Sequence, residues 1–444
     1  MDLPLETDEK SLVQYLNGMG WNVYAVGGSV RDVVMGRKRG DLDIVVQAPF
    51  KDVVNRLRQR YRVLPDGLPY KIARTVLRAG ENVVVDVSVP NNEIYPGLGE
   101  RPVRFQVDTI EKDLGRRDFT INAMAIKLGN GSHVFDPFGG IHDIGNKVVR
   151  FVGDPYKRIE EDPLRILRAL RFAATLGCSI ETESASAIRN SVDKLGMVSG
   201  ERIRDEILKA SGNFSTFFEV VVSMGAAEMV FHIDAGRWAS VIHDHRGGHY
   251  GESLLQHTID NIRRLEEYEK ITSESVSWEV KLAMLYHDSG KVASMERIGD
   301  KVTFHDHPKF SKAFTAPILK TLRLTVPQQN HVLFLIAGHM RFPKAEGQRE
   351  STMVKHIIDA RMQHIPMKWL LDMVVMSKAD NHVPPSPEFI RLMYEVEMPR
   401  GTSFLHLPPE RRKDAVRSEW INRALAVYNA TVERERVDIS VSGV

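Results

Sequence analysis

The chain holds one cysteine, Cys178, in 444 residues. That excludes an intrachain disulfide and thiolate-rich metal sites, and it fits a reducing compartment. Neither sign of charge is in excess: 60 Lys and Arg against 58 Asp and Glu leave +2. A nucleic-acid partner would therefore be held by local basic stripes and not by overall charge. No apolar run approaches membrane-spanning length, and the opening MDLPLETDEK has neither the basic nor the apolar segment of a leader. The expectation is a cytoplasmic protein without membrane association. Low-complexity tracts and internal repeats are missing too. At 43% hydrophobic and 27% charged residues the composition is that of a globular chain, with length for roughly two to four domains.

What is present is concentrated in residues 24–46, YAVGGSVRDVVMGRKRGDLDIVV. Tyr24-Ala25-Val26 reads as a strand, Gly27-Gly28-Ser29 as a turn, and residues 30–35 as a short helix closed by Gly36. Gly27 and Gly28 let a backbone approach an anion at the helix start, and Arg31 can add bidentate contacts to phosphate. Taken alone, a Gly-Gly pair is more often an ordinary strand-turn-helix. Asp41-Leu42-Asp43 then leads into Ile44-Val45-Val46, and the period of two puts both carboxylates on one strand face. Two adjacent acids repel unless a hard cation such as Mg²⁺ bridges them, with substrate phosphates completing its shell. GGSVRD followed by GDLDIVV resembles the head of the DNA polymerase beta nucleotidyltransferase superfamily, in the branch of class II tRNA nucleotidyltransferases (CCA-adding enzymes) and bacterial poly(A) polymerases.

Residues 51–61 read as a helix, and residues 70–77 and 82–89 as strands. Asp86 interrupts a valine run in the second of these; we read it as a surface acid on an edge strand, the alternative being a third carboxylate facing the metal pair. Residues 90–102 read as a mobile loop; in the family that is resembled, a flexible loop in this interval helps the switch from C to A addition. In RRDFTINAMA, residues 116–125, a helix starting near Asp118 would offer Phe119, Ala123 and Ile126 to the core. The string is similar to the family's second motif, which implies that Arg117 and Asp118 contact the phosphate and ribose of a bound nucleotide. Asp136-Pro137-Phe138-Gly139-Gly140 with Asp143 resembles the third motif, a hinge between head and neck.

EEDPLRILRALRF, residues 160–172, reads as a helix with acids at its start and Pro163 in its first turn. Arg165, Arg168 and Arg171 recur every three residues beside Leu164, Leu167 and Leu170, so one stripe packs while the other is available to anions. EDPLR matches the family's nucleotide-selecting E-D-x-x-R. Cytosine and adenine both carry an exocyclic amino donor that an Asp162 carboxylate can accept, while Arg165 donates to ring acceptors. Uracil and guanine oppose a carbonyl to the carboxylate, which costs roughly 1–3 kcal/mol per unpaired buried group. Arg168 and Arg171 would complete the pocket, Glu161 would support the helix start or orient Arg165, and ERIRDE, residues 201–206, which resembles the family's last neck motif, reads as a structural helix bracing the selection helix.

Further on, histidines and acids fall in an ordered series: His257, His287-Asp288, His305 and His307, His339, Asp380. Neutral imidazoles with carboxylates are transition-metal ligands. The order H…HD…H…H…D resembles the HD phosphohydrolase superfamily, which implies His257, His287, Asp288 and Asp380 as core ligands of one or two divalent ions (Ni²⁺, Co²⁺ or Mn²⁺) and His307 and His339 as additional ones, with His305 an alternative to His307. The implied chemistry is phosphatase or phosphodiesterase activity. Residues 384–444 begin PPSPEF, turn helical and carry Arg411-Arg412-Lys413.

The expected fold is α+β: a nucleotidyltransferase head of mixed sheet and helices over residues 1–150, a helical neck over 151–240, an HD body over 241–385 and a helical tail over 386–444. The resemblance implies transfer of nucleoside monophosphates from CTP and ATP to the 3′ end of tRNA. Asp41 and Asp43 would hold Mg²⁺; Gly28, Arg31, Arg117 and Asp118 would position the nucleotide, and Asp162, Arg165, Arg168 and Arg171 would select it. A CC-adding or A-adding specialist, a poly(A) polymerase, and an HD phosphohydrolase with a nucleotide- or tRNA-binding head are the alternatives. The basic segment that poly(A) polymerases usually show after the D-x-D is not found, residues 64–71 reading LPDGLPYK. Nothing in the sequence fixes an oligomeric state.

Overall fold

The computed structural model describes residues 3–68, 71–78, 83–94, 103–106, 109–129, 133–242, 251–299, 301–341, 350–380, 382, 384–400, 403 and 405–441. They form two compact units, residues 1–232 and 233–444. Among the described residues no helix is long and apolar enough to cross a membrane.

The first unit opens with α1 (Thr7–Asn17), β1 (Asn22–Val26), α2 (Gly28–Val34), β2 (Asp43–Gln47), α3 (Phe50–Arg58), β3 (Arg62–Leu64), β4 (Ile72–Arg78) and β5 (Val83–Ser88). A hairpin of β6 (Asn91–Ile94) and β7 (Val103–Gln106) follows, then α4 (Ile110–Gly115), β8 (Ala125–Leu128) and β9 (Val134–Phe135). Seven strands make one sheet in the order β3-β4-β5-β2-β1-β8-β9. Its centre is apolar on both faces: Ile44, Val45 and Val46 are fully buried, as the uninterrupted run in the sequence requires. Ile44 and Val46 pack with Leu12 and Leu16 of α1 and Val53 and Leu57 of α3. Val45 packs on the other face with Val26, Ile110, Leu114 and Ala125. Alternation along β2 therefore gives Asp43 the face of Val45, away from α1 and α3.

Two expectations change here. β5 is no edge strand; it lies between β4 and β2, parallel to β2, with Asp86 the register partner of Asp43. Partners in adjacent strands share a face, so Asp86 is a third carboxylate beside the pair and not a stray surface acid. The helix expected from Asp118 onward is only a 3₁₀ turn, Thr120–Asn122, before β8. Phe119 is anchored by tertiary contacts instead, with ring centroids 5.0 Å from Phe151 and 5.6 Å from Phe172. Of the loop expected at 90–102, residues 95–102 lie outside the described residues.

The unit continues through α5 (Gly140–Gly145), β10 (Val148–Val149), α6 (Pro155–Glu161), α7 (Leu164–Leu176), β11 (Ser179–Ile180), α8 (Thr182–Arg189), α9 (Gly200–Lys209), α10 (Phe214–Ser223) and α11 (Ala227–Phe231); β10 and β11 pair in parallel. The single helix expected at 160–172 is two. Asp162 adopts an extended conformation (φ −149°, ψ 102°) between α6 and α7, and Pro163 caps α7. Glu160 and Glu161 therefore close α6 instead of opening α7, against the macrodipole preference, and the break falls just before Pro163. α7 stops at Gly177, whose φ of 68° is the left-handed conformation glycine tolerates.

The second unit is helical, with one hairpin: α12 (Ala235–Ser240), α13 (Leu254–Thr272), α14 (Trp278–Tyr286), α15 (Lys291–Ser294), β12 (Met295–Ile298), β13 (Lys301–Phe304), α16 (His307–Thr321), α17 (Val326–Gly338), α18 (Glu350–Met362), α19 (Met367–Ala379), α20 (Pro387–Glu395) and α21 (Pro409–Val441). Gly290 lets α16 come close: a Cβ there would lie 2.2 Å from His307 O and 2.4 Å from Ser311 N.

Gly140 performs a similar service in the first unit. A Cβ at this position would sit 2.3 Å from Thr120 O and 3.0 Å from Met124 Cγ. Of the glycine pair read as a hinge, Gly140 makes a close packing contact, while Gly139 is left-handed at φ 76°. Gly140→Ala is expected to destabilise the first unit by about 2 kcal/mol, read as a lower denaturation midpoint at unchanged m-value.

Candidate functional site

Asp43 begins β2 and lines a cavity of about 400 Å³. On the sheet side the cavity is lined by Val26, Asp43, Ile72, Asp86 and Ser88. Arg116, Arg117 and Asp118 line it from the turn before β8, and Asp162, Leu164, Arg165, Arg168 and Arg202 from the helices beyond. Five arginines against four aspartates make this wall suited to a polyanion that arrives with a cation. Burial pushes the Asp43 carboxyl above its ordinary range; Arg117 pulls it down, while Asp86 and Asp41 push it up again. Such an all-oxygen set, destabilised by burial and mutual repulsion, fits a hard divalent cation. Asp41 is exposed and borders a neighbouring surface cleft with Arg37 and Lys38; it reaches Asp43 through its charge and does not line the cavity wall. Gly27 makes the closest approach behind this site: with φ at 70°, a Cβ on it would lie 3.0 Å from Arg117 Nη1 and 3.6 Å from Asp43 Oδ2.

The arginines are not an idle stripe. Arg165, 4% exposed, donates to Glu161 Oε2 at 2.6 Å, to Arg158 O at 3.1 Å and to Arg116 O at 3.3 Å. Arg168 donates to Asp118 Oδ2 from Nε and Nη2 at 2.8 and 2.6 Å. Arg171 lies off the cavity wall, donating to Glu206 Oε2 at 2.6 Å with its guanidinium 4.0 Å from the Phe172 ring centroid. Glu206 also accepts from Lys209 at 2.9 Å. Arg31 and Gly28 do not line the cavity either. Arg31 donates to Asn122 Oδ1 at 2.9 Å, Asn122 donates to Asp118 Oδ1 at 3.2 Å, and so Arg31 reaches the site through Asn122. Asp162 is held by Arg202 in a two-bond fork. Asn122, Arg202 and Glu206 escaped the sequence reading as site residues, since polar residues on amphipathic helices are ordinarily solvated; Asp86 was visible as an acid inside a valine run.

In the second unit, six residues from five helices converge. His257 projects from α13; His287 and Asp288 follow α14, His307 opens α16, His339 follows α17 and Asp380 follows α19. Asp288 Oδ2 lies 3.3 Å from His287 Nε2 and 3.5 Å from His257 Nε2, while its Oδ1 lies 3.2 Å from His307 Nε2 and 3.5 Å from His339 Nε2. Two trios of potential ligands therefore share Asp288. Asp380 Oδ1 is 3.1 Å from His257 Nε2 and 3.7 Å from His287 Nε2. Three imidazoles are aimed by the backbone carbonyl three residues earlier: His287 Nδ1 to Met284 O at 2.8 Å, His307 Nδ1 to Phe304 O at 2.9 Å, His339 Nδ1 to Ile336 O at 2.7 Å. An Nδ1–H donating there leaves Nε2 as a lone-pair ligand facing inward. Among the described residues His287 Nε2 is buried without a hydrogen-bond partner, an orphaned lone-pair site that a metal ion fits. His305 is exposed and outside the cluster, which resolves the choice in favour of His307. Burial lowers the His287 pKa, but Asp288 and Asp380 together raise it to about 9. Burial works against ionised Asp288 too, yet His287 and Lys291 hold it well below the usual carboxylate range. Asn261, donating to Asp380 Oδ1 at 2.7 Å, and His382, 3.0 Å from Asp380 Oδ2, are outer contacts that the sequence did not signal.

Residues 23–150 match the family described as Poly A polymerase head domain, and residues 177–232 the one described as Probable RNA and SrmB-binding site of polymerase A. A CCA-adding enzyme of Anoxybacillus flavithermus is 30% identical over 381 residues, covering 78% of this chain and 90% of that protein. One from Lactobacillus helveticus is 36% identical over 198 residues, 45% of this chain and 48% of its own length; the chain spans about half the length of several curated relatives it matches. Among solved structures, the Bacillus stearothermophilus CCA-adding enzyme in complex with CTP has a TM-score of 0.68 at 19% identity, covering 98% of this chain and 100% of that one. The Thermotoga maritima CCA-adding enzyme complexed with tRNA has 0.54 at 17%, covering 95% and 94%. These two likenesses show a shared fold.

Asp118 allows a test of the site's electrostatics. Burial raises its pKa, but Arg168 and Asn122 bring it down to about 2 from an ordinary 3.8. A depressed folded-state value means stabilisation that is present above the unfolded value and lost as pH falls through the folded one. Asp118→Asn is expected to lower unfolding free energy by about 2 kcal/mol at neutral pH, the gap to wild type closing between about pH 4 and pH 2. Denaturant titrations across that range check it; a gap independent of pH would refute it.

Proposed function

The chain belongs to the family of class II CCA-adding enzymes and bacterial poly(A) polymerases, and we propose that it adds CCA to the 3′ end of tRNA without a template, using CTP and ATP. The observation that carries this reading is one cavity with strand carboxylates Asp43 and Asp86 on one side and the Asp162–Arg165 pair on the other. Such a wall addresses a nucleotide at both its phosphates and its base. The reaction joins the RNA 3′ oxygen to the α-phosphorus and releases pyrophosphate.

Asp41, Asp43 and Asp86 would hold Mg²⁺, which when bound supplies positive charge to the triphosphate and lowers the pKa of the attacking hydroxyl. Arg116 and Arg117 face the phosphates, and Asp118, kept ionised by Arg168, faces the ribose. Arg31 serves indirectly, fixing Asn122 and through it Asp118, with Gly28 at the start of its helix. Asp162 accepts the exocyclic amino group of cytosine or adenine, and Arg165, immobilised by Glu161, donates to the ring. Arg168 keeps the base side in register with the phosphate side; Arg171 acts behind it through Glu206. We assign the head to residues 1–150 and the neck to residues 151–240.

For residues 241–385 we propose a second activity, metal-dependent phosphoester hydrolysis in an HD body, with residues 386–444 as its helical tail. His257, His287, Asp288 and Asp380 would bind one Ni²⁺, Co²⁺ or Mn²⁺, and His307 and His339 with Asp288 a second. The shared Asp288 and the inward-aimed imidazoles support this reading.

Transcripts of tRNA ending before CCA, after C and after CC, each given CTP, ATP or both with Mg²⁺, test the first activity. Stepwise addition of CC and one A is expected. Addition of C alone or A alone would identify a specialist, and long A ladders a poly(A) polymerase. Asp43→Ala should lower turnover by roughly a thousandfold or more with tRNA binding nearly intact, and retained turnover would refute the metal assignment. For the second activity, His287→Ala with Asp288→Ala should lose bound transition metal by elemental analysis, and hydrolysis of phosphomonoesters and cyclic nucleotides, while CCA addition persists. Unchanged metal content would sink the ligand assignment.

A further inference from the structure

We infer that Arg202 is a specificity-determining residue, because it leaves Asp162 a single acceptor site to offer a base. The inference rests on the reading of Asp162 as the base-selecting group. An ionised carboxylate has about four lone-pair sites. Arg202 occupies one on each oxygen, Nη1 donating to Oδ1 at 3.1 Å and Nη2 to Oδ2 at 2.7 Å. The Leu164 backbone N–H takes the second site on Oδ1, at 3.1 Å. Among the described residues these are the hydrogen bonds Asp162 accepts, so one site remains, on Oδ2. Asp162 and Arg202 both line the cavity, and Asp162 is 7% exposed.

Two consequences follow for selection. A carboxylate forked onto a guanidinium cannot rotate without breaking two charge-assisted bonds, so its one remaining acceptor has a fixed direction. It also stays an acceptor: an amino group of cytosine or adenine satisfies it, whereas the carbonyl of uracil or guanine meets a fixed oxygen that can neither turn aside nor donate. Freed from the fork, Asp162 could pivot and take water between itself and a carbonyl, and the penalty against the wrong bases would shrink.

The contact is not needed to dock α9. That helix is tied to α7 independently by Glu206, through Arg171 at 2.6 Å, and buries Ile203 and Ile207. Arg202 thus bears on Asp162 while other groups carry the packing.

Arg202→Lys keeps the charge but cannot fork, and Arg202→Gln keeps one donor group without the charge. For both, kcat/KM is measured with CTP, ATP, UTP and GTP on tRNA acceptors. The ratio of correct to incorrect nucleotides is expected to fall roughly tenfold to a hundredfold. A brace with no part in selection would scale all four nucleotides together, and that result in both variants would overturn the inference. Asp162→Asn is run beside them. If it leaves selection intact, the base-reading role of Asp162 is itself wrong and the inference falls with it. If it relaxes selection while the Arg202 variants do not, only the role of Arg202 is overturned.

Discussion

The half-buried ion pair between Asp118 and Arg168 is the constraint on which the first unit depends. Asp118 belongs to the turn that leads into the head sheet, Arg168 to the middle of α7, and the two are joined by bonds of 2.6 and 2.8 Å. Each charge is partly withdrawn from water at the cavity wall, where separating the two would forfeit two charge-assisted bonds. The pair therefore forces α7 to a fixed position over the strands that carry Asp43 and Asp86. Phe119, packed between Phe151 and Phe172, supplies the apolar half of the same junction. The cavity is the space left where these two attachments hold sheet and helix apart.

Around that pair the charges are organised by mutual satisfaction. Arg31 holds Asn122, Asn122 and Arg168 hold Asp118, Glu206 holds Arg171, Glu161 holds Arg165 and Arg202 holds Asp162. A free arginine stripe would be attracted to any polyanion in any pose. Side chains already committed to carboxylates keep their direction when a ligand arrives, and preorganised donors are what discrimination between bases requires. The exception among the strand carboxylates is Asp43, since Asp86 accepts from Arg74 at 3.1 Å. Burial and neighbouring acids raise Asp43, so this is the place where the protein is least satisfied by itself and has most to gain from a cation.

In the second unit the organising device is the helix end. Imidazoles of His287 and His339 are turned by carbonyls in the last turn of the preceding helix and that of His307 by Phe304 O at the end of β13, so carbonyls at element ends aim ligands. Convergence of four helices, α13, α14, α16 and α17, then sets two trios around the two oxygens of Asp288. Gly290 makes the closest of these approaches possible, because any side chain there would collide with the start of α16.

Local pattern alone determined a good deal: the apolar run that becomes β2, the glycine turn before α2, the alternation that puts Asp43 opposite Leu42, and the order of histidines and acids that marks a ligand series. These are properties of spacing, and spacing is written in the chain. Tertiary structure decided what spacing cannot express. Asp86 became a third acid because β5 pairs beside β2, a neighbour relation between strands about forty residues apart. The stretch after Asp118 gave up a helix for a 3₁₀ turn because Phe119 gains more by burial against Phe151 and Phe172 than one further turn would supply. Which arginines line the cavity, and which stand behind it, was settled by the carboxylate each one met, and those partners lie up to fifty residues away.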